Sequence, residues 1–190
     1  MRAGLLLFAA LAFMPPALAV AQPATATPAA RRAELDRLLT ALAAAPDETA
    51  SSAVEARIHV LWMQAASPAV ALLVRRGQRN IESEAVADAV EDFDAALTLQ
   101  PDFAEAWLMR AQALSMLGDN AAAGRDVQQV LMLEPRHFGA LALLSRLHEQ
   151  AGDLDGALGA MEAAVELNPH MQGADARLRE LRRRSQGDHT

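Results

Sequence analysis

The chain contains no cysteine and no lysine, and only 4% of its 190 residues are aromatic. Without cysteine, disulfide bonds and thiolate chemistry are excluded, and so is lipid attachment to a cysteine after an export signal. All 17 basic residues are arginine, which indicates a G/C-rich genome rather than a mechanism. The hydrophobic share of 52%, largely alanine and leucine, suits closely packed helices and is sufficient for one domain with its own core.

Apolar runs long enough to cross a membrane are also missing. The stretch Ala3–Met14 has about 12 residues, whereas a spanning helix needs about 20. It follows Arg2 and precedes Ala19-Val20-Ala21, a small-x-small cleavage site. We therefore expect residues 1–21 to be a signal peptide cleaved after Ala21, and the mature protein to lie in the periplasm without membrane attachment. Cleavage after Ala19 and a retained membrane anchor are the alternatives.

No local pattern indicates catalysis, a cofactor or a metal. There is no glycine-rich phosphate loop, and no serine, histidine and acid arrangement stands out, so we do not expect an enzyme or a small-molecule substrate. His148-Glu149 begins like a zinc-protease helix motif, but the second histidine is missing. Asp153 and Asp155 resemble part of a calcium loop without its remaining ligands, and helix capping explains them better. A net charge of −7 disfavours nucleic acid as a partner.

The chain does contain a repeat of 34 residues. Three Leu-x-Pro tripeptides begin at Leu99, Leu133 and Leu167, and further residues keep the same step. A fixed period of this length is typical of stacked helix–turn–helix units. It predicts three repeats over 70–171, namely 70–103, 104–137 and 138–171. The residues that carry the pattern are Gly77, Ala89, Ala96, Pro101, Trp107, Ala111, Gly118, Ala123, Pro135, Gly152, Ala157 and Pro169.

These residues resemble the tetratricopeptide repeat (TPR) family, and the whole chain resembles the small exported TPR proteins of proteobacteria. The resemblance implies an all-α, right-handed superhelix of antiparallel helix pairs. Small residues at positions 8 and 20 of each repeat let its helices approach closely, and proline at position 32 ends the second helix. The first repeat departs from the pattern, because Ser83-Glu84 stands where Gly-Asp is usual, so we expect an irregular turn there.

Additional segments flank the repeats. Residues 22–30 are rich in alanine, threonine and proline, which predicts a flexible linker. Residues 31–68 predict two helices that cap the exposed N-terminal end of the array, as either a degenerate repeat or a plain helical hairpin. Residues 172–184 predict a C-terminal capping helix with an arginine-rich outer surface, and residues 185–190 a disordered tail.

The TPR resemblance implies a protein-binding adaptor whose first helices line a concave groove, chiefly through positions 5, 9 and 12. An apolar segment or amphipathic helix, oriented by Gln78, Gln112 and Arg146, is the expected ligand. A structural subunit that stacks in an envelope complex or with itself is the alternative, and the groove side chains could also be merely solvated. The groove residues are Val74, Gln78, Ile81, Leu108, Gln112, Ser115, Ala142, Arg146 and Glu149.

Charge is unevenly distributed along the chain. Residues 82–166 hold 16 acidic side chains and four basic ones. Solvated helix faces explain this most simply. An acidic body that attracts a basic protein partner is the functional interpretation.

Overall fold

The computed structural model describes residues 27–188 and shows an all-α protein, with nine helices and no strand in that range. The predicted signal peptide, the start of the linker and the last two residues lie outside it. None of the helices found between residues 27 and 188 is both long and apolar enough to cross a bilayer. The helices are α1 Pro28–Ala43, α2 Glu48–Met63, α3 Pro68–Glu82, α4 Val86–Leu99, α5 Ala104–Met116, α6 Asn120–Leu133, α7 Phe138–Gln150, α8 Leu154–Leu167 and α9 Ala174–Asp188.

Helices α3 to α8 form three packed pairs, one for each predicted repeat. The alanines at position 20, Ala89, Ala123 and Ala157, are all buried. Ala89 and Ala123 lie in the clusters that join the helices of the first and second pairs, and Ala157 lies in the cluster between α8 and α9. The helices of the first pair approach closely, since a Cβ on Gly77 would lie 2.6 Å from the Phe93 ring. The small-residue pattern therefore acts as predicted, since any larger side chain at Gly77 would have to displace that ring.

The internal turn of the first repeat is regular, contrary to the prediction. Glu84, rather than Ser83, occupies the position of Gly118 and Gly152, and it takes the same left-handed conformation with φ of 62°. The N–H of Ala85 donates to the carbonyl of Asn80 at 2.8 Å, closing the helix end as a glycine would. A side chain in this conformation is strained, so the first repeat keeps the turn at an energetic cost.

The two ends of the array differ in how they are closed. Helix α9 covers the C-terminal end by burying Ala174, Leu178 and Leu181 against α8. It continues to Asp188, into the segment predicted as a disordered tail, because Ser185 is buried and its hydroxyl donates to Asp155 at 2.6 Å. At the N-terminal end, α3 closes the array itself. Its apolar stripe faces α4, while Arg75, Arg76 and Arg79 are exposed.

The N-terminal hairpin, α1 and α2, lies across the turns that join successive repeats. The contacts of α1 with α8 and of α2 with α5 show this placement. The sequence predicted that the hairpin would cover the exposed end of the array. Because three arginines are exposed on α3, that end offers little apolar surface apart from Leu72, and the hairpin buries its leucines elsewhere. Pro28–Ala30, predicted as linker, already belongs to α1, whose first turn is capped by Thr27.

Glu84→Gly should stabilise the protein by about 1 kcal/mol, because glycine adopts the left-handed conformation without steric cost. Urea denaturation followed by circular dichroism measures the change. Ser83→Gly is the matched control, since Ser83 has φ of −93° and should gain nothing from glycine. A denaturation midpoint that is unchanged or lower in Glu84→Gly would contradict this account of the turn.

Candidate functional site

The predicted groove residues fall into three groups in the structure. Some are buried in the core, some have no partner among the described residues, and some are already paired with another side chain. Val74 and Leu108, both at position 5, are buried in the clusters between helices. Val74 continues a stripe with Val70 and Gly77 at i, i+4, i+7 spacing, which directs it into the core. These two side chains therefore stabilise the array and offer no exposed surface to a ligand.

The position-9 residues form a free polar row along the first helices of the repeats. Gln78 and Gln112 are half-buried and Arg146 is exposed. Within residues 27–188, none of the three side chains makes a hydrogen bond or ion pair. We call Gln78, Gln112 and Arg146 the free row.

The side chains at position 12 are less available to a ligand. The Ser115 hydroxyl lies 3.4 Å from the amide oxygen of Asn120. Glu149 forms ion pairs with Arg177 and Arg184 of α9, so its carboxylate is not available to a ligand. Ile81 and Ala142, at positions 12 and 5, are half-buried and remain apolar neighbours of the free row.

A second row of side chains holds the N-terminal hairpin. We call Gln100, Glu134 and Asn168, the central residues of the three Leu-x-Pro tripeptides, the anchor row. Each hydrogen-bonds to the hairpin or to the junction between α2 and α3, so the same repeat position is used three times. Because α2 advances about 1.5 Å per residue, it is long enough to reach from the third turn back to the first.

The anchor contacts differ chemically from turn to turn. The Gln100 amide accepts from the backbone N–H of Ser67 and donates to the Ala65 carbonyl, each at 2.9 Å. Glu134 accepts two hydrogen bonds from Arg32 at 2.7 and 2.8 Å. The partners lie at the start of α1 and just after α2, so these two contacts hold the open end of the hairpin against the first and second turns.

Asn168 is the most enclosed of the three anchors. It accepts from the Ser51 hydroxyl at 2.8 Å and donates to Glu55 at 2.9 Å, and it is fully buried. The neighbouring His170 ring contacts the Ala45 carbonyl at 2.9 Å. The third turn therefore holds the N-terminal end of α2 and the loop before it.

An aromatic stack holds the C-terminal end of α2 against the second turn. Trp62, which is 5% exposed, stacks on His137 with ring centroids 4.0 Å apart and planes 11° apart. His137 Nδ1 accepts from the N–H of Ala140 at 3.2 Å and so caps α7, which leaves Nε2 to donate to Glu105 at 2.8 Å. The indole N–H of Trp62 has no partner among the described residues, so stacking and apolar burial hold this ring.

Glu55 and His59 form an ion pair on α2 beside the third turn, with His59 Nε2 and Glu55 Oε1 3.6 Å apart. The hydrogen bond from His59 lowers the pKa of Glu55, assisted by Asn168 and opposed by burial. The bond to Glu55 raises the pKa of His59, and the charge of Glu105 adds to the effect against burial. Asn168 donates to Glu55 and so connects this pair to the third turn.

Arginine–carboxylate pairs within the repeats neutralise part of the acidic surface. Arg110 donates to both oxygens of the buried Asp126 at 2.7 Å and also pairs with Asp94 of the preceding repeat. These carboxylates raise the pKa of Arg110. Arg76 and Asp92 repeat the first pairing 34 residues earlier. Fewer free carboxylates therefore remain for a basic partner than the sequence count implies.

The histidine and aspartates weighed as metal ligands have other partners. Asp153 accepts from the N–H of Gly156 at 2.9 Å and caps α8, and His148 Nδ1 lies 2.7 Å from its other oxygen. The backbone hydrogen bond is the main reason that the pKa of Asp153 is lowered. Among residues 27–188, no three histidine or acidic side chains are grouped to hold a metal. The capping interpretation of Asp153 is confirmed.

Comparison with known proteins gives the same class as the fold. Residues 93–125 and 138–171 match two family models described as tetratricopeptide repeat. A TPR repeat-containing protein of Rhizobium etli is 29% identical over 156 residues, covering 82% of this chain and 76% of that protein. The chain thus contains tetratricopeptide repeats, as predicted.

Solved structures resemble the array at low sequence identity. The first TPR domain of Spaghetti (RPAP3) bound to an HSP90 peptide has a TM-score of 0.60 at 20% identity, covering 65% of this chain and 96% of that one. The TPR2B domain of yeast Sti1 in its complex with pHsp70 has a TM-score of 0.58 at 17% identity, covering 62% and 99%. The fold is an all-α TPR superhelix, and these two domains of that fold hold partners.

Trp62→Ala should destabilise the hairpin, because truncating a buried tryptophan costs about 3–5 kcal/mol. Hydrogen exchange should then speed up in residues 28–63 and stay slow in α5 to α8. Trp107→Ala is the matched variant. Trp107 is half-buried between the first two core clusters, with its N–H donating to the Pro101 carbonyl at 2.8 Å, so its loss should loosen the array. The same exchange pattern in both variants would show that hairpin and array do not behave as described.

Stability should fall as the pH rises through the raised pKa of His59. The Glu55–His59 pair contributes fully below about 6.5, the unfolded pKa of histidine, and above about 4.5, that of glutamate. His59→Gln and Glu55→Gln should each flatten the stability profile between pH 6 and 8, about the range of the histidine titration. Urea midpoints across that range measure it, and a slope as steep as that of wild type in both variants would contradict the pairing.

Proposed function

We propose that this protein is a periplasmic adaptor that binds a segment of a partner protein in the concave groove of its TPR array. The free row is the observation that carries the proposal. Three polar side chains at one repeat position lie on successive first helices without any internal partner among the described residues. Polar groups in this arrangement are suited to orienting a bound backbone or side chain.

The apolar neighbours of the free row define the ligand further. Ile81 and Ala142 flank the polar side chains, so a segment with alternating apolar and polar faces fits the surface better than a wholly charged one. The bound partners of the RPAP3 and Sti1 domains support binding as the general activity of the fold. The energetics would be burial of surface and hydrogen bonding, without bond chemistry.

The order of residues in the N-terminal sequence supports the compartment part of the proposal. Arg2, the apolar stretch that follows and Ala19-Val20-Ala21 have the order of a secretory signal peptide. The absence of cysteine agrees with a protein whose folding does not depend on disulfides. The partner would accordingly be a periplasmic protein or the periplasmic domain of an envelope protein.

A structural role in an envelope assembly is the second candidate. Leu99 on α4 and Met132 on α6 are 60% and 73% exposed, and both lie on the second helices of their repeats. Large apolar side chains on outer helices are suited to contacts between subunits. Light scattering on the purified protein would show self-association if this surface stacks copies of the chain.

A crosslinking experiment in cells tests the adaptor function. Crosslinked partners are recovered from the periplasmic fraction with wild type, with Gln112→Ala combined with Arg146→Glu, and with Gln129→Ala combined with Arg125→Glu. The last pair is the matched control, because both residues are exposed on α6. The free-row variant should lose about tenfold of the captured partner, since hydrogen bonds to charged groups contribute about 1.5–3 kcal/mol. The control should keep wild-type yield.

Two results would contradict this function. Equal capture by the free-row variant would show that the concave groove is not the binding surface. The absence of any specific partner from the periplasmic fraction would contradict the compartment. Circular dichroism should be unchanged in both double variants, because three of the four side chains are exposed and Gln112 is only half-buried.

A further inference from the structure

The placement of the hairpin opens a cleft between α2 and α3. The two helices diverge from the Ser67-Pro68 junction, because α2 turns toward the inter-repeat turns instead of stacking on α3. The cleft has a volume of about 490 Å³, within the size range of ligand pockets. Its lining residues are His59, Val60, Met63, Gln64, Ala71 and Arg75.

The walls of this cleft expose apolar surface that the rest of α2 buries. Ile58 and Leu61 are 0% and 3% exposed, whereas Val60 is 46% exposed and faces the cleft. Met63 and Ala71 add half-buried apolar surface on either side. An apolar side chain of a partner would bury this surface without displacing any core residue.

Arg75 gives the cleft its charge. Of the three arginines on α3, Arg76 pairs with Asp92, whereas the side chains of Arg75 and Arg79 form no ion pair or hydrogen bond within the described residues. Helix α3 carries three arginines and one acidic residue, Glu82, so the local field is positive although the chain as a whole is acidic. A carboxylate is the group that complements this position.

The cleft is continuous with the proposed groove. Ala71, Arg75 and Gln78 are spaced i, i+4, i+7 and share one face of α3. Gln78 is the first member of the free row. A segment lying in the groove can therefore extend toward the cleft along a single helix face.

We propose that the α2–α3 cleft docks an acidic amphipathic segment of the partner. A bulky apolar side chain fills the space between Val60, Met63 and Ala71, and a carboxylate about one helical turn away pairs with Arg75. This inference rests on the proposed function, since it assigns the chemistry of the partner segment. The hairpin thereby supplies one wall of the binding site in addition to bracing the repeats.

Selection from a phage library of random 12-residue peptides tests the ligand chemistry. The purified protein is the bait, and enriched peptides are synthesised with fluorescein and measured by anisotropy. Enriched peptides should combine aspartate or glutamate with leucine, phenylalanine or methionine. Basic enriched peptides would overturn the proposal.

Variants locate the binding surface. Arg75→Glu and Val60→Asp should each weaken peptide binding by about tenfold or more, from the loss of a charge-assisted hydrogen bond or of apolar burial. Arg125→Glu on α6 and Leu117→Asp at the end of α5, both at exposed positions, are the matched controls and should bind as wild type does. All four should keep the helical circular dichroism of wild type.

The remaining outcomes separate this inference from the proposed function. If binding of the selected peptides requires Gln112 and Arg146 but not Arg75 and Val60, the cleft proposal is overturned and the groove function stands. The cleft proposal would also be overturned, and the groove function would stand, if no peptide is selected while wild type captures the crosslinked partner and the free-row variant does not. A dimer that Val60→Asp dissociates would assign the cleft to a second copy of the chain. Failure of both selection and crosslinking would overturn both proposals.

Discussion

The anchoring of the N-terminal hairpin across the three inter-repeat turns is the constraint on which the rest of the structure depends. A TPR array is otherwise held by contacts between neighbouring repeats, so its ends can separate one unit at a time. Here all three turns are bonded to the hairpin or to the junction that follows it. Gln100 bonds the junction, Glu134 bonds α1 and Asn168 bonds α2. The last two contacts join segments more than 100 residues apart in sequence, which makes the array more cooperative than its repeats alone would be. They also determine which surfaces stay open.

Much of the fold follows from local sequence, because repeat period and helix signals are local properties. The three helix pairs, the small residues at Gly77 and Ala89, and the apolar stripe of α9 all agree with the structure. The hairpin's position could not be derived in this way, since it depends on how its leucines compete for distant surface. One signal was present: every Leu-x-Pro tripeptide has a hydrogen-bonding residue at its centre, which a position that only ends a helix does not require.

The candidate site was predicted less completely, and the reason is geometric. Positions 5, 9 and 12 share a helix face, but that face borders the neighbouring pair, so Val74 and Leu108 are buried while Gln112 and Arg146 are not. The pairs Arg76–Asp92 and Arg110–Asp126 recur at the 34-residue step and could have been found from it. The α2–α3 cleft could not be predicted from the sequence, because it results from the position at which the hairpin docks.

Thiol crosslinking tests the hairpin's placement most directly, since the chain has no cysteine of its own. Ser52 and Gln172 are exposed and together line a second pocket, beside the third turn and distinct from the α2–α3 cleft. Leu72 is exposed on α3, at the opposite end of the array. A short bis-maleimide should join cysteines at Ser52 and Gln172 within one chain and should not join cysteines at Ser52 and Leu72. Crosslinking of the second pair instead of the first would show that the hairpin stacks on the end of the array and would contradict the account.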